Sequence, residues 1–344
     1  MTAPPVIGAV PRRAAPGQHL ATAPGRAGQT EVEVNMPFVH PGLRPFLAAS
    51  QGQPALAGAP VAEVRAANEA RARNRPPGPP VAIVRDLHVT GDDGHEIPVR
   101  LYIPEGARGV TVAFHGGGWI VGNLDTYDDT ARNIASESGQ AVVSVDYRLS
   151  PENRFPSQID DAWAVTRWVA ERGAQVGLPN DRLMLLGDSA GGNLAAVTAL
   201  RARDAGGPDI RLQMLVYPAT DARTGGADRG PFGEGYFLTA RDIDYTLESY
   251  GVGSLVEAGD WRVSPLLAAS HRGVAPALII SAECDPLHAD AAAYARKLLE
   301  DGVSAVHVTY SGVTHLFFGM RGALDAAEYA QRQAADALRV AALA

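Results

Sequence analysis

Short unbroken apolar runs recur along the chain, and between them stand longer stretches whose apolar residues fall at helical spacing. GVTVAF (109–114), AVVSVDY (141–147), RLMLLG (182–187), IRLQMLVYP (210–218), APALIISAECD (275–285) and SAVHVTYSG (304–312) read as strands. Their nearly continuous apolar character marks burial on both faces, because a strand with one wet face alternates. TYDDTARNIASESG (126–139), PSQIDDAWAVTRWVAERG (156–173), NLAAVTALRARDAG (193–206), ADAAAYARKLLEDG (289–302) and the closing stretch from Ala323 read as helices. In the second of these, Ile159, Ala162, Trp163, Val165 and Val169 make one apolar stripe. Upstream, VRDLHV (84–89) and EIPVRLYIP (96–104) flank the turn TGDDGH, a hairpin pattern. The alternation predicts an α/β fold: a mostly parallel central sheet with helices on both faces and an antiparallel edge.

The flanks follow other rules. Residues 1–35 are rich in Pro, Ala and Gly without periodicity, and a disordered extension is expected there. Met36 stands where patterning begins, so translation could start at Met1 or at Met36. PFVHPGLRPFLAASQGQ (37–53) and PVAEVRAANEARARNRPPGPP (60–80) predict short helices outside the sheet, the second ending near Arg73 before the prolines. A loop-rich stretch after Pro218 interrupts the alternation, with Thr239 placed to cap a following helix. The expected organisation is an extension (1–35), cap helices (36–84), and a catalytic domain (85–344) with a cap insertion at about 219–256.

Composition narrows the function. The chain has 344 residues, 46% of them hydrophobic, and a net charge of −8, so a nucleic-acid partner is not expected. Cys284 is the single cysteine, which excludes an intrachain disulfide and any metal site built from several cysteines. No apolar stretch approaches the ~20 residues of a membrane span. The N-terminus lacks the apolar segment of a signal peptide, and Arg12-Arg13 is followed by Pro, Gly and Gln rather than an apolar run. A cytoplasmic setting is expected, with a homodimer left open. Almost all basic residues are arginine, with Lys297 the one lysine, which reflects genome composition more than chemistry.

In a doubly wound sheet, functional side chains gather at the carboxyl ends of the strands. Four polar motifs fall there: Ser189 after RLMLLG, His115-Gly116-Gly117-Gly118 after GVTVAF, Asp285 after the 275–285 strand, and His315 after the 304–312 strand. A glycine-flanked serine at a strand-to-helix junction reads either as a simple turn or as a nucleophile elbow. The company it keeps favours the elbow. A serine hydroxyl needs a base as it attacks, an imidazole with its ordinary pKa of about 6.5 can be that base, and a carboxylate orients the imidazole. The order Ser189, Asp285, His315 is that of α/β-hydrolases. Backbone amides of Gly117, Gly118 and Ala190 are placed to receive an oxyanion, each such donor being worth ~3 kcal/mol.

HGGGW (115–119), GDSAGG (187–192), DYRLSPENRFPSQIDDA (146–162) and DPL (285–287) resemble the bacterial hormone-sensitive lipase family of serine carboxylesterases, from about Met36 to the C-terminus. The resemblance implies an α/β-hydrolase core under a helical cap and hydrolysis of short- to medium-chain acyl esters, with a small-molecule ester as substrate and no cofactor or metal. It makes Ser189 the nucleophile, His315 the base, Asp285 the acid, and Gly117, Gly118 and Ala190 the oxyanion hole. The family's base usually precedes glycine, whereas here Leu316 follows it, a residue expected to narrow the pocket or shift the imidazole. The family's second acid-loop carboxylate corresponds to Asp290.

Other residues lie near these positions. Glu283 and Asp290 compete with Asp285; His271, His288 and His307 compete with His315. His115 reads as a brace for the glycine loop, and Asp188 points away from its neighbour on a sharp turn. Asp146, Tyr147 and Arg148 read as core braces. Trp119, Tyr236 and Leu316 are candidate pocket residues, with Phe237 beside Tyr236 in the insertion, and Cys284 reads as a buried filler with a raised thiol pKa. Two other functions use the same frame: a deacetylase or amidohydrolase of an acetylated metabolite, and a non-catalytic small-molecule receptor.

Overall fold

A computed structural model of the chain describes residues 38–50, 56–226 and 229–344. Its strands are β1 (Ile83–Thr90), β2 (Glu96–Ile103), β3 (Val110–Phe114), β4 (Ala141–Val145), β5 (Leu183–Asp188), β6 (Ile210–Val216), β7 (Ala277–Cys284) and β8 (Ala305–Thr314). Its helices are α1 (Arg44–Ser50), α2 (Val61–Arg73), α3 (Asp128–Ser138), α4 (Ser157–Arg172), α5 (Ala190–Ala205), α6 (Ala240–Tyr250), the single turn α7 (Leu255–Ala258), α8 (His288–Glu300) and α9 (Asp325–Ala341). The strands form one sheet in the order β1-β2-β4-β3-β5-β6-β7-β8. The β1–β2 hairpin and the β2–β4 pair are antiparallel, and every pairing from β4 to β8 is parallel.

The apolar strands are buried on both faces because the pleat sends successive side chains to opposite sides. Along β5, Leu183 and Leu185 pack with Val165 of α4 and Leu194 of α5. Met184 and Leu186 pack on the other face with Ile134 of α3 and Ala334 of α9. Each fully buried aliphatic side chain contributes about 1.5–3 kcal/mol, and a one-residue slip would exchange the two faces, so the register is fixed. The same register sets the carboxyl ends of β3, β5, β7 and β8 along one edge of the sheet.

Two boundaries next to the site, and one short element, differ from the sequence pattern. Helix α5 begins at Ala190 rather than beyond the glycines, because Gly191 has no side chain to obstruct the helix against the end of β3. Strand β8 continues past Gly312 to Thr314 through an irregularity in its pairing with β7, where Gly312 has φ 68°. The irregularity re-aims the end of the strand, which carries His315. The turn α7 has four residues, too few to show a period in the sequence.

Segments outside the sheet meet one another. Thr239 caps α6 in a reciprocal box with Asp242, and Asp242 Oδ1 also accepts the Ala57 amide at 2.8 Å. From α2, Arg65 Nε donates to Ile120 O and Nη2 to Ser150 O, each at 2.9 Å. The expected extension 1–35 and Met36 lie outside the described residues. Among the described residues no helix is long and apolar enough to cross a membrane.

Candidate active site

Ser189 stands at the junction of β5 and α5 with φ 55° and ψ −118°. A non-glycine residue held there stores strain of order 1–3 kcal/mol and persists only where its surroundings fix it. Its amide donates to Val216 O at 2.9 Å, and its carbonyl accepts from Asn193 at 3.0 Å. The flanking glycines are required by close approach. A Cβ on Gly187 would lie 2.1 Å from Gly191 O, and one on Gly191 would lie 2.0 Å from Phe114 O. At positions 187 and 191 strand and helix meet too closely for any side chain.

The structure brings Ser189, His315 and Asp285 together across 126 and 30 residues of sequence. Ser189 Oγ is 2.9 Å from His315 Nε2, and His315 Nδ1 is 2.7 Å from Asp285 Oδ2. The other oxygen of Asp285 accepts the Leu287 amide at 2.8 Å, which fixes the carboxylate plane. All three residues are buried. Beside them the Tyr217 ring lies 4.4 Å from the imidazole, tilted by 51°.

The glycine loop after β3 runs alongside. Gly117 and Gly118 have φ 119° and 61°, and a Cβ on Gly117 would lie 2.2 Å from Val121 O. Among the described residues no backbone carbonyl accepts from the amides of Gly117, Gly118 or Ala190. The Ala190 amide is also the first of α5, at the positive end of the helix dipole. A polarised hydroxyl, an oriented imidazole and uncommitted amides form an arrangement that can carry out acyl transfer through a covalent serine intermediate.

The rival residues are occupied elsewhere. His307 Nε2 is 2.8 Å from Ser281 Oγ, His288 Nδ1 is 3.1 Å from Ala282 O, and His271 Nε2 is 2.9 Å from Pro265 O. Glu283 accepts the Gly312 amide at 2.7 Å. Asp290 pairs with Arg229 at 2.6 Å. His115 stacks on Tyr147 with ring centroids 4.3 Å apart, and its Nδ1 is 2.8 Å from Gly116 O. Burial holds its pKa down to about 4, so the ring is neutral and braces the loop. Trp119 is buried against Tyr250, Tyr236 is half-buried with its ring edge-on to Phe232, and Leu316 is 46% exposed with φ 72°. The imidazole keeps both partners, so Leu316 has not displaced it.

Two residues make contacts beside the candidate site that the sequence does not show. Asp188 Oδ1 accepts the Gly116 amide at 2.8 Å and so ties the elbow to the glycine loop; burial pushes its carboxyl up, and that amide opposes the shift. Tyr217, with φ 33°, packs on the imidazole. Their only sequence signal was position, beside the nucleophile and at the end of a buried strand. Among the described residues no group of three or more His, Cys, Asp or Glu is arranged to hold a metal.

Comparison with known proteins agrees with this fold. The profile of a family described as having the alpha/beta hydrolase fold matches residues 111–319. The chain is 38% identical over 264 residues to an ethyl acetate hydrolase of Pseudomonas putida, spanning 74% of this chain and 82% of that protein. It is 43% identical over 253 residues to the carboxylic ester hydrolase LipN of Mycobacterium tuberculosis, spanning 71% and 67%. A hyperthermophilic esterase from Pyrobaculum calidifontis superposes with a TM-score of 0.82 at 35% identity, covering 90% of this chain and all of that one.

Proposed function

This chain belongs to the hormone-sensitive-lipase-like branch of the α/β-hydrolase family, and on that premise we propose that it is a serine carboxylesterase acting on short- to medium-chain acyl esters through an acyl-enzyme. The observation that carries this reading is the continuous Ser189–His315–Asp285 hydrogen-bonded line, 2.9 Å and 2.7 Å, beside amides without a backbone acceptor.

Ser189 Oγ attacks the ester carbonyl while His315 Nε2 takes its proton. Asp285 holds the Nδ1–H of the imidazole and stabilises the imidazolium. The Gly117, Gly118 and Ala190 amides receive the oxyanion, and His315 returns the proton to the leaving alkoxide. Water then attacks the acyl-serine with the same imidazole as base, releasing the carboxylic acid. The described parts of segment 36–84, together with the insertion at about 219–256, serve as a cap on the catalytic domain 85–344 that carries that insertion. Support for the cap comes from the Ala57–Asp242 hydrogen bond and from Leu56 and Thr246, which both lie against Gly118. A cytoplasmic setting fits a chain whose one cysteine is buried and unpaired.

Turnover of p-nitrophenyl acetate and butyrate by Ser189→Ala tests the assignment. Loss of turnover and of fluorophosphonate labelling, with unchanged thermal unfolding, is the expected result. Retained turnover removes Ser189 as the nucleophile.

A further inference from the structure

Three consecutive residues after Gly116 lie at positive φ: Gly117 at 119°, Gly118 at 61° and Trp119 at 59°. A run of this kind holds its shape only where neighbouring structure over-determines it, and a bulky tryptophan cannot relax there as glycine can. Strand ends and the loops after them supply part of the constraint: Asp188 at the end of β5 accepts the Gly116 amide, and Trp119 O accepts the amide of Ser150, in the loop after β4, at 2.7 Å. Much of the rest comes from outside the sheet. The Tyr250 ring at the end of α6 stacks on Trp119 with centroids 4.2 Å apart and planes within 9°. Thr246, one turn earlier on α6, has its Cγ2 2.4 Å from where a Gly118 Cβ would stand, and Leu56 lies 3.6 Å from the same point. Arg65 of α2 donates from Nε to Ile120 O while its guanidinium is anchored on Glu152.

We infer that Tyr250 and Arg65 are positioning residues: the cap elements α6 and α2 clamp the strained 117–120 loop so that its amides face the reacting carbonyl. The cap is then part of the catalytic framework and not only a cover that selects substrate. This rests on reading Gly117 and Gly118 as oxyanion donors. The clamp acts on groups whose contact with the substrate strengthens in the transition state, so its loss falls on kcat more than on KM.

Removing one oxyanion donor outright lowers kcat by about 10²–10³. Loosening the loop moves the donors without deleting them, so Tyr250→Leu is expected to lower kcat on p-nitrophenyl acetate by at least about tenfold, with KM changed less than about threefold. Arg65→Met, which alters a partly exposed side chain, is expected to do the same to a smaller degree. The affinity of a trifluoromethyl ketone, which places an oxyanion in the hole, should fall in parallel with kcat/KM. Tyr250→Phe keeps the stack and is expected to restore kcat, since among the described residues the Tyr250 hydroxyl has no hydrogen-bond partner. If Tyr250→Leu does not fold, Arg65→Met carries the test. Folded variants with wild-type kcat and unchanged ketone affinity, or variants altered in KM alone, overturn the inference. Ser189→Ala run in parallel separates the cases: if it stays active, the esterase assignment has failed; if it is inert while the clamp variants behave as wild type, only the clamp has failed.

Discussion

Arg229→Met should be among the more destabilising single changes outside the Ser189–His315–Asp285 line, and its cost should depend on pH in a definite direction. Arg229 comes from the insertion and Asp290 from α8; their side chains are 3% and 6% exposed and 2.6 Å apart. The remaining carboxylate oxygen of Asp290 accepts the amides of Thr220 at 3.0 Å and Asp221 at 3.1 Å, while Arg229 also donates to Asp221 O. Methionine retains most of the stem and removes the charge. Breaking a buried pair costs about 3–5 kcal/mol, because the stranded carboxylate can no longer exchange its partner for water. Two amides continue to hold it, which places the expected loss at the lower end, about 3 kcal/mol, or a fall in Tm of roughly 4 °C for a chain of 344 residues. Burial already pushes the Asp290 carboxyl up, and the guanidinium opposes that shift. Without Arg229 the folded-state pKa climbs further above the unfolded value. A group raised on folding favours the fold while it is protonated and loses that contribution as pH rises through its folded pKa. The deficit relative to wild type should therefore be largest at pH 8 and shrink toward pH 5. Urea unfolding at both pH values, closed into a cycle with Asp290→Asn, measures it. A loss below 1 kcal/mol, or equal deficits at the two pH values, refutes the reasoning.

Acid stability should report His115: its pKa moves from the ordinary 6.5 to about 4 on burial, so its contribution is complete above pH 6.5 and is lost as pH falls toward 4. That is worth up to about 3 kcal/mol, and His115→Phe should flatten the acid limb of urea midpoint against pH. Gly191→Ala should yield no soluble folded protein, since its Cβ would lie 2.0 Å from Phe114 O on the neighbouring strand; a folded, active variant with wild-type Tm refutes the close-approach account. The Cys284 thiol is fully buried, and burial with the neighbouring Glu283 and Asp285 carboxylates pushes its pKa up to about 11. Iodoacetamide at pH 8 should leave the native protein unmodified by mass spectrometry and alkylate it in urea; modification of the folded protein at a rate near that of the unfolded one counts against this.

The fold was legible because its signal is local. A run such as VTVAF or LMLLG excludes water from both faces wherever it is placed, and six parallel strands with covering helices are what such runs can build. The candidate site residues were legible for a related reason: an α/β sheet carries its strand ends to one edge, so residues just past apolar runs become neighbours there. That logic selected Ser189, His115 to Gly118, Asp285 and His315.

What the sequence could not contain was the part made by approach in three dimensions. Nothing local distinguishes Asp188 as the acceptor of the Gly116 amide, Tyr250 as the partner of Trp119, or Arg229 as the counter-charge of Asp290, because each pairing spans about 60 residues or more. The need for glycine at 187 and 191 was readable as a pattern, but its cause, a carbonyl 2.0–2.1 Å from the missing Cβ, exists only once strand and helix are packed. Chain periodicity determines which face of an element is dry. Which polar group then meets which is decided by the packing of those faces, since a buried donor or acceptor must take whatever partner the fold brings within about 3 Å.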